Sequence, residues 1–339
     1  MLILWLLCTS WCALAIGDRP EPYVIENATV YFNGFMTEYS KTYANVEEKN
    51  SRLEIFKKNL EAINRLNEDP NGAIYGIDET TDLTAEEYNE RTSCLLDTSD
   101  EDTTVSGIQC TVLNDKDITA KDAPPTYSWR DQGAVTKVRN QGSCRSCWAM
   151  VATGQLEGRN YMKHKKLVQL SPQQLVDCDR LSNGCRGGTM VKAYRSLIGS
   201  IHGCWAEEDY PYVARSETCR MVKKKPEVIP VRCSSYNLKS QDKVRQQLHK
   251  IGPIGIAVRN DGLRFYKQGI IQDSKCSEGG LSHAVLLVGY GIEKGEDYWL
   301  VKNSRGVKFG EEGYFRMQRG EDHTSCGMMN TYMSTASIE

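Results

Sequence analysis

A cysteine at the mouth of a helix is the first residue in this chain whose type and setting could do chemistry. The polar loop Gln141-Gly142-Ser143-Cys144-Arg145-Ser146-Cys147-Trp148 runs into a helical-looking segment, Trp148 to about Lys163. Cys147 therefore falls where that helix should begin. There the positive end of the backbone dipole and unpaired N–H groups favour thiolate over thiol, lowering the pKa from about 8.5. A structural or metal-binding C-x-x-C pair would share this spacing, so the octapeptide alone does not decide. A nucleophilic thiolate also needs a base, and a group that orients the base.

Five histidines are available. His164 lies in a Lys-rich run, His249 in a charged helical pattern, His202 beside turn glycines and His323 in a polar stretch, all settings of solvated surface residues. His283 differs: it opens His283-Ala-Val-Leu-Leu-Val-Gly-Tyr-Gly291, an apolar strand-like run ending in glycines, where a core histidine is the competing reading. The run Tyr298-Trp-Leu-Val-Lys-Asn303 supplies a second strand ending in an amide. Asn303 could accept a hydrogen bond from the ring nitrogen facing away from the sulfur.

Cysteine, histidine and asparagine in this order resemble the papain-family cysteine proteases, in their cathepsin L-like branch. The separations here are 136 residues to His283 and 156 to Asn303, against a family pattern of roughly 130–150. The likeness runs from about Thr37 to Thr331. Upstream, Glu48-x3-Arg52-x2-Ile55-Phe56-x2-Asn59-x3-Ile63-x3-Asn67 sets apolar residues on one helical stripe. Its interlaced polar positions resemble the ERFNIN-type propeptide signature of such zymogens, with Val30–Tyr39 as a first short helix packed across it. The second propeptide motif, Gly-x-Asn-x-Phe-x-Asp, stands here as Gly76-x-Asp78-x-Thr80-x-Asp82, without the amide and the aromatic.

This resemblance implies an α+β, two-domain papain-like fold preceded by a helical propeptide. Residues 1–15 read as a signal peptide, with an apolar core Leu2 to Leu7 and a small-x-small site Ala13-Leu14-Ala15. Residues 16–122 would be the inhibitory propeptide and 123–339 the peptidase, its helical half about 129–233 and its β half, a small antiparallel barrel-like unit, about 234–331. Residues 93–122, rich in Asp, Thr and Ser, read as an exposed linker suited to cleavage. Ser171 followed by Pro172 predicts a capped helix.

By resemblance, Cys147 is the nucleophile and stays free, His283 its partner, Asn303 the orienting group and Gln141 an oxyanion donor. Gly187 and Gly188 would let a substrate backbone lie against their loop. Thr189, Met190, Ala257, Leu281, Ala284 and Thr331 would line an uncharged pocket for the residue two before the cut. The resemblance also pairs Cys144 with Cys185, Cys178 with Cys219 and Cys276 with Cys326. Cys204 and Cys233 remain as a candidate added bridge, and Cys94 and Cys110 as another. Arg145 replaces the usual glycine between the motif cysteines, and Arg305 the usual tryptophan after the asparagine, with Phe309 at a second tryptophan position. Arg305 should therefore weaken the Asn303–His283 bond by removing an aromatic lid.

Thirteen cysteines and the acceptor Asn27-Ala28-Thr29 fit a secretory route, lysosomal or extracellular. The expected partners are peptide or protein substrates, the chain's own propeptide and cystatin-like inhibitors, with no metal, cofactor, nucleic acid or membrane, in a monomer. Two rival readings are a non-catalytic binding protein or decoy of the same fold, prompted by the two arginines, and a thiol oxidoreductase using Cys144 and Cys147. Charge divides sharply. Residues 16–122 carry 10 basic and 23 acidic side chains, and 123–339 carry 32 and 21. Charge attraction is therefore expected to hold the two parts together, and acid or salt to separate them.

Overall fold

The computed structural model describes residues 19–95, 107–119, 122–276 and 280–339. The expected signal peptide falls outside them, as do residues 96–106 and 120–121 of the expected linker. The N-terminal part holds three helices, α1 (Ala28–Glu38), α2 (Val46–Leu66) and α3 (Ala85–Thr92). α2 begins where the Asn45 side chain accepts the Glu48 N–H, with Glu47 and Glu48 against the positive end of the dipole. Its stripe of Phe56, Leu60 and Ile63 is buried, and the Phe56 ring lies 5.3 Å from Phe32 and 5.1 Å from Phe35 of α1. α3 is closed at its start by a reciprocal capping box of Thr84 and Glu87.

The stretch from Gly76 to Asp82 keeps its shape through local hydrogen bonds. Asp78 Oδ1 accepts from the Thr80 N–H (2.8 Å) and hydroxyl (2.7 Å), and Asp82 accepts from Lys41 (2.8 Å) and Tyr43 (3.0 Å). A cavity of about 230 Å³ lined by Asp78, Thr80, Arg305 and Phe309, among others, lies beside this motif. Two strands join this part to the rest: β1 (Ile74–Tyr75) pairs antiparallel with β6 (Tyr266–Gln268).

Beyond Ala123 one half is built on α4 (Cys147–His164), α5 (Pro172–Cys178) and α6 (Met190–Gly199). Ser171 caps α5 and Pro172 takes its first position. The other half is a nine-stranded sheet. It runs β2 (Thr111–Asn114), β4 (Pro230–Asn237), β11 (Met333–Ile338), β5 (Ile254–Val258), β8 (His283–Glu293), β9 (Glu296–Lys302), β10 (Tyr314–Gln318) and β7 (Ile270–Ile271), with β3 (Tyr127–Ser128) against β8. The sheet is antiparallel along its body, as expected, with a parallel pair at each end, β2 with β4 and β10 with β7. α7 (Gln241–Ile251) packs beside β8. One core joins the sheet to the aromatic rings of α1 and α2, and a second fills the helical half. No described helix is long and apolar enough to cross a membrane.

The disulfides correct several expectations. Cys144 is joined to Cys185, Cys178 to Cys219 and Cys276 to Cys326. Cys94 and Cys110, however, do not pair with each other. Register decides the partner of Cys110: Thr111 lies opposite Ser234, which sets Cys110 beside Cys233, with Cα atoms 4.6 Å apart. Cys204 is left free and buried, its thiol pushed up to about 12, chiefly by burial. Cys94 is bonded to Cys147, so the cysteine expected to stay free is occupied. The linker likewise proves partly structured, since β2 belongs to the sheet.

Candidate active site

Cys147 is the first residue of α4, and the Ser146 carbonyl accepts the N–H groups of Ala149 and Met150 as the helix begins. The Cys147 N–H is thereby among those a helix start leaves without an intrahelical partner. Across the cleft β8 opens with His283, which is completely buried. The antiparallel register of β5 and β8 sets Val258 opposite His283, and the Ala284 N–H donates to Cys147 Sγ at 3.2 Å. Sulfur and imidazole thus come from opposite halves, their ligating atoms within 4.8 Å.

The His283 Nε2–H donates to Asn303 Oδ1 at 2.9 Å, from the ring nitrogen facing away from the sulfurs. Asn303, 3 % exposed, follows β9 directly, and its oxygen also accepts the Ser304 N–H at 2.8 Å. The bond expected to be weakened is therefore short and sealed. Arg305 is itself buried: it donates to the Tyr88 hydroxyl at 2.7 Å and to Asn260 Oδ1, and sits over the Tyr88 and Phe309 rings. An aromatic from α3 thus covers the position where the missing tryptophan was expected to leave a gap. Burial foremost, then the Arg305 charge, pushes the His283 imidazole down to about 3, while hydrogen bonding to Asn303 and to the Thr92 backbone opposes the shift. With Cys147 bonded to Cys94, no thiolate is present to stabilise an imidazolium. His283 is neutral here.

Gln141 is fixed from both ends. Its N–H donates to the Ser304 carbonyl (2.8 Å), and its side-chain oxygen accepts from the Ser304 hydroxyl (2.6 Å). That leaves the amide hydrogens to serve as donors. Tyr212 ties the same loop to the helix start, sharing a hydrogen bond with the Ser146 hydroxyl (2.6 Å) and donating to the Gln141 carbonyl (2.8 Å). A buried cluster holds the loop from below: Glu157 accepts from Thr136, Arg139 and the Leu170 N–H.

Gly187 has φ +115°, and a Cβ on Gly188 would lie 2.6 Å from Trp148 Cδ2 and 2.7 Å from Ser182. Only glycine fits at 188, for packing as well as for backbone approach. The Gly188 N–H donates to the Cys94 carbonyl (3.1 Å), so the N-terminal part already occupies the place expected for an added backbone. Thr189, Met190, Ala257 and Ala284 are buried, and Leu281 and Thr331 are half-buried. Ala257 pairs with Ala284 in the sheet. Arg145 is half-buried, its N–H donating to the Cys185 carbonyl at 3.3 Å.

Reading the sequence missed Cys94, Tyr88, Asn260, Ser304 and Tyr212, all of which touch the site or its supports. Only the oddity of a cysteine in a polar linker pointed toward any of them.

Comparison with known proteins covers both parts of the chain. The model of the papain family of cysteine proteases matches residues 123–336, and that of the cathepsin propeptide inhibitor domain matches residues 32–88. The viral cathepsin of Mamestra configurata nucleopolyhedrovirus is 38% identical over 325 residues, 96% of this chain and 94% of its own. That of Cydia pomonella granulosis virus is 39% identical over 325 residues, 95% and 96% of the two chains. Among solved structures, the digestive procathepsin L2 proteinase from Tenebrio molitor larval midgut is similar at TM-score 0.82 and 30% identity, covering 91% of this chain and 99% of that one. The recombinant stem bromelain precursor gives 0.79 and 31%, covering 92% and 99%.

Proposed function

This chain belongs to the papain-family cysteine proteases and is a peptidase made as a zymogen, and on that premise we propose an endopeptidase that works through a thioester on Cys147. The observation that carries this reading is the convergence of Cys147, at the first position of α4, with the His283 ring that Asn303 holds by its far nitrogen at 2.9 Å.

Once the propeptide has left, the helix start and the Ala284 N–H favour a Cys147 thiolate, paired with an imidazolium on His283. The thiolate attacks the peptide carbonyl carbon. The resulting oxyanion takes hydrogen bonds from the Gln141 side-chain amide and the Cys147 N–H, each donor worth about 10²–10³ in rate. His283 protonates the departing amine, and a thioester remains. Water then attacks the thioester, giving up a proton to His283, and Cys147 leaves as thiolate.

The pocket of Thr189, Met190, Ala257, Leu281, Ala284 and Thr331 carries no charge, so a hydrophobic side chain is favoured two residues before the cut. The five disulfides among the described residues, with the exposed acceptor Asn27, support passage through an oxidising secretory route toward a lysosomal or extracellular site.

Cys147→Ala tests the assignment. Expected is complete loss of peptide cleavage in an activated preparation with near-native thermal stability, and wild-type activity ranked by the hydrophobicity of the residue two before the cut. A variant that cleaves at a rate comparable to wild type would remove Cys147 from the mechanism.

A further inference from the structure

Cys94 lies two residues beyond α3, in the part of the chain expected to leave with the propeptide, yet it is 2 % exposed and sits on the nucleophile. Both walls of the cleft hold its backbone. Its N–H donates to the Ser282 carbonyl beside β8 (2.8 Å), and its carbonyl accepts the Gly188 N–H from the helical half (3.1 Å). Leu95 continues as a parallel bridge to Gly188. The Cα atoms of Cys94 and Cys147 are 5.9 Å apart, inside the range a disulfide spans. Cys94 Sγ also lies 3.5 Å from His283 Nδ1, the ring nitrogen free of Asn303. One propeptide side chain therefore meets both nucleophile and base. The anchor behind it is secure: the Tyr88 hydroxyl donates to the Asn260 carbonyl at 3.0 Å, and Asn260 donates to the Thr92 hydroxyl.

We propose that Cys94 is a covalent lock: in the zymogen it holds Cys147 as a disulfide, so that release of activity requires a reductant as well as departure of the propeptide. The proposal rests on Cys147 being the nucleophile. The bond forms by exchange with a small-molecule or protein disulfide, RSSR. Cys147 thiolate attacks one sulfur and expels RS⁻; Cys94 thiolate then attacks the Cys147 sulfur and expels the second RS⁻. The reverse begins at Cys94. An incoming RS⁻ that bonds to the Cys94 sulfur expels Cys147, the better leaving group because the helix start stabilises its thiolate. The bond is buried, so a reductant reaches it only after α3 loosens.

The test uses the full-length zymogen, purified without reductant and alkylated with iodoacetamide before proteolytic mapping. The expected result is a peptide joining the segments of Cys94 and Cys147, with neither cysteine alkylated. Acid alone should then leave the zymogen inactive, whereas acid with a phosphine, which with water reduces the bond to two thiols and becomes a phosphine oxide, should release activity. Cys94→Ser should lose the phosphine requirement and give a mature enzyme of wild-type activity. Recovery of both cysteines alkylated would overturn the lock, as would a stoichiometric metal ion held by Cys94, Cys147 and His283 in place of the disulfide. The mapped peptide reports the bond whether or not the released enzyme cleaves anything; a linked peptide with no peptidase activity after reduction would overturn the proposed function and leave the lock standing.

Discussion

His283 shows how strongly single neighbours set the chemistry of this site. Its depressed pKa has burial as the larger cause and the Arg305 guanidinium as the next. Burial is relieved when the propeptide leaves, but Arg305 stays in the same chain two residues beyond Asn303. A cation held near an imidazolium disfavours it, so the thiolate–imidazolium pair of the mature enzyme should lose its proton at lower pH than a neutral residue would allow. Arg305→Gln should therefore move the alkaline limb of the kcat/KM profile to higher pH. Arg305→Trp should do the same and also raise kcat more than it changes KM, because Arg305 acts on the base and not on substrate grip. Profiles of the two variants that superimpose on wild type would show that Arg305 serves packing alone. The Arg145→Gly change belongs to another question: Arg145 stands in the loop between Cys144 and Cys147, and the expected outcome is altered preference at the residue just before the cut. A panel of peptides differing only at that residue measures it.

At the scale of elements, β2 has a consequence for processing. It runs parallel to β4 from Thr111↔Ser234 to Asn114↔Asn237, and Cys110 is bonded to Cys233. A cut near Ala123 alone would leave β2 in the sheet, so the segment that carries Cys110 should stay bonded to the mature enzyme until reduced. Intact mass measured without and with reductant should differ by that segment after such a cut; a segment lost without reductant would mean that β2 does not persist. The same elements show what sequence can carry. The start of α5 was legible because Ser171 with Pro172 is a local signal that acts within a single turn, and the buried face of α2 because its apolar residues recur at helical spacing. Cys147, His283 and Asn303 were legible by residue type and order, since each opens or closes an element whose pattern is plain. The partners of Cys94 and Cys110 were not, because a cysteine in a polar run has no periodicity to reveal what it meets and register alone places Cys233 beside Cys110. Tyr88 and Asn260 were hidden for a related reason. A tyrosine in a short acidic helix reads as exposed until α3 packs on the loop after β5 and buries it against Arg305.

For the molecule as a whole, the charge imbalance suggests attraction between the two parts, and the described ion pairs do not supply it. The described ion pairs of the propeptide, Lys41–Asp82, Arg52–Glu87, Lys57–Glu54 and Arg91–Glu79, are all internal to it. Besides the Cys94–Cys147 and Cys110–Cys233 bonds and β2 on β4, the two parts are joined by β1 on β6, donation by Arg264 to the Leu83 carbonyl (2.6 Å) and Asn59 (3.2 Å), the Tyr88 contacts and a shared apolar core. Salt should accordingly have little effect on how firmly the closed form holds, its influence being confined to long-range steering. Acid is different, because closure keeps His283 neutral among Cys94, Cys147, Asn303, the Thr92 backbone and the cationic Arg305. An opened, hydrated His283 rises from about 3 toward its ordinary value of 6.5, the Arg305 charge still holding it below that value. Only the open form binds the extra proton between its own pKa and the closed one, so stability of the closed form is intact above 6.5 and falls by roughly tenfold per pH unit below the open form's pKa until about 3. Glu87, held down mainly by its hydrogen bond with Arg52, adds a second loss at lower pH, since its protonation frees α3 from α2. Hydrogen exchange across residues 85–95 of the zymogen with the Cys94–Cys147 bond in place, corrected for intrinsic rates, measures this opening. Protection should fall steadily below the open form's pKa and should match at low and high salt. In the His283→Gln zymogen the decline should be confined to the carboxylate range, with Arg52→Gln removing most of what remains. Protection that falls with salt at neutral pH, or that declines in the same way with and without His283, would return the closed state to charge attraction between the two parts.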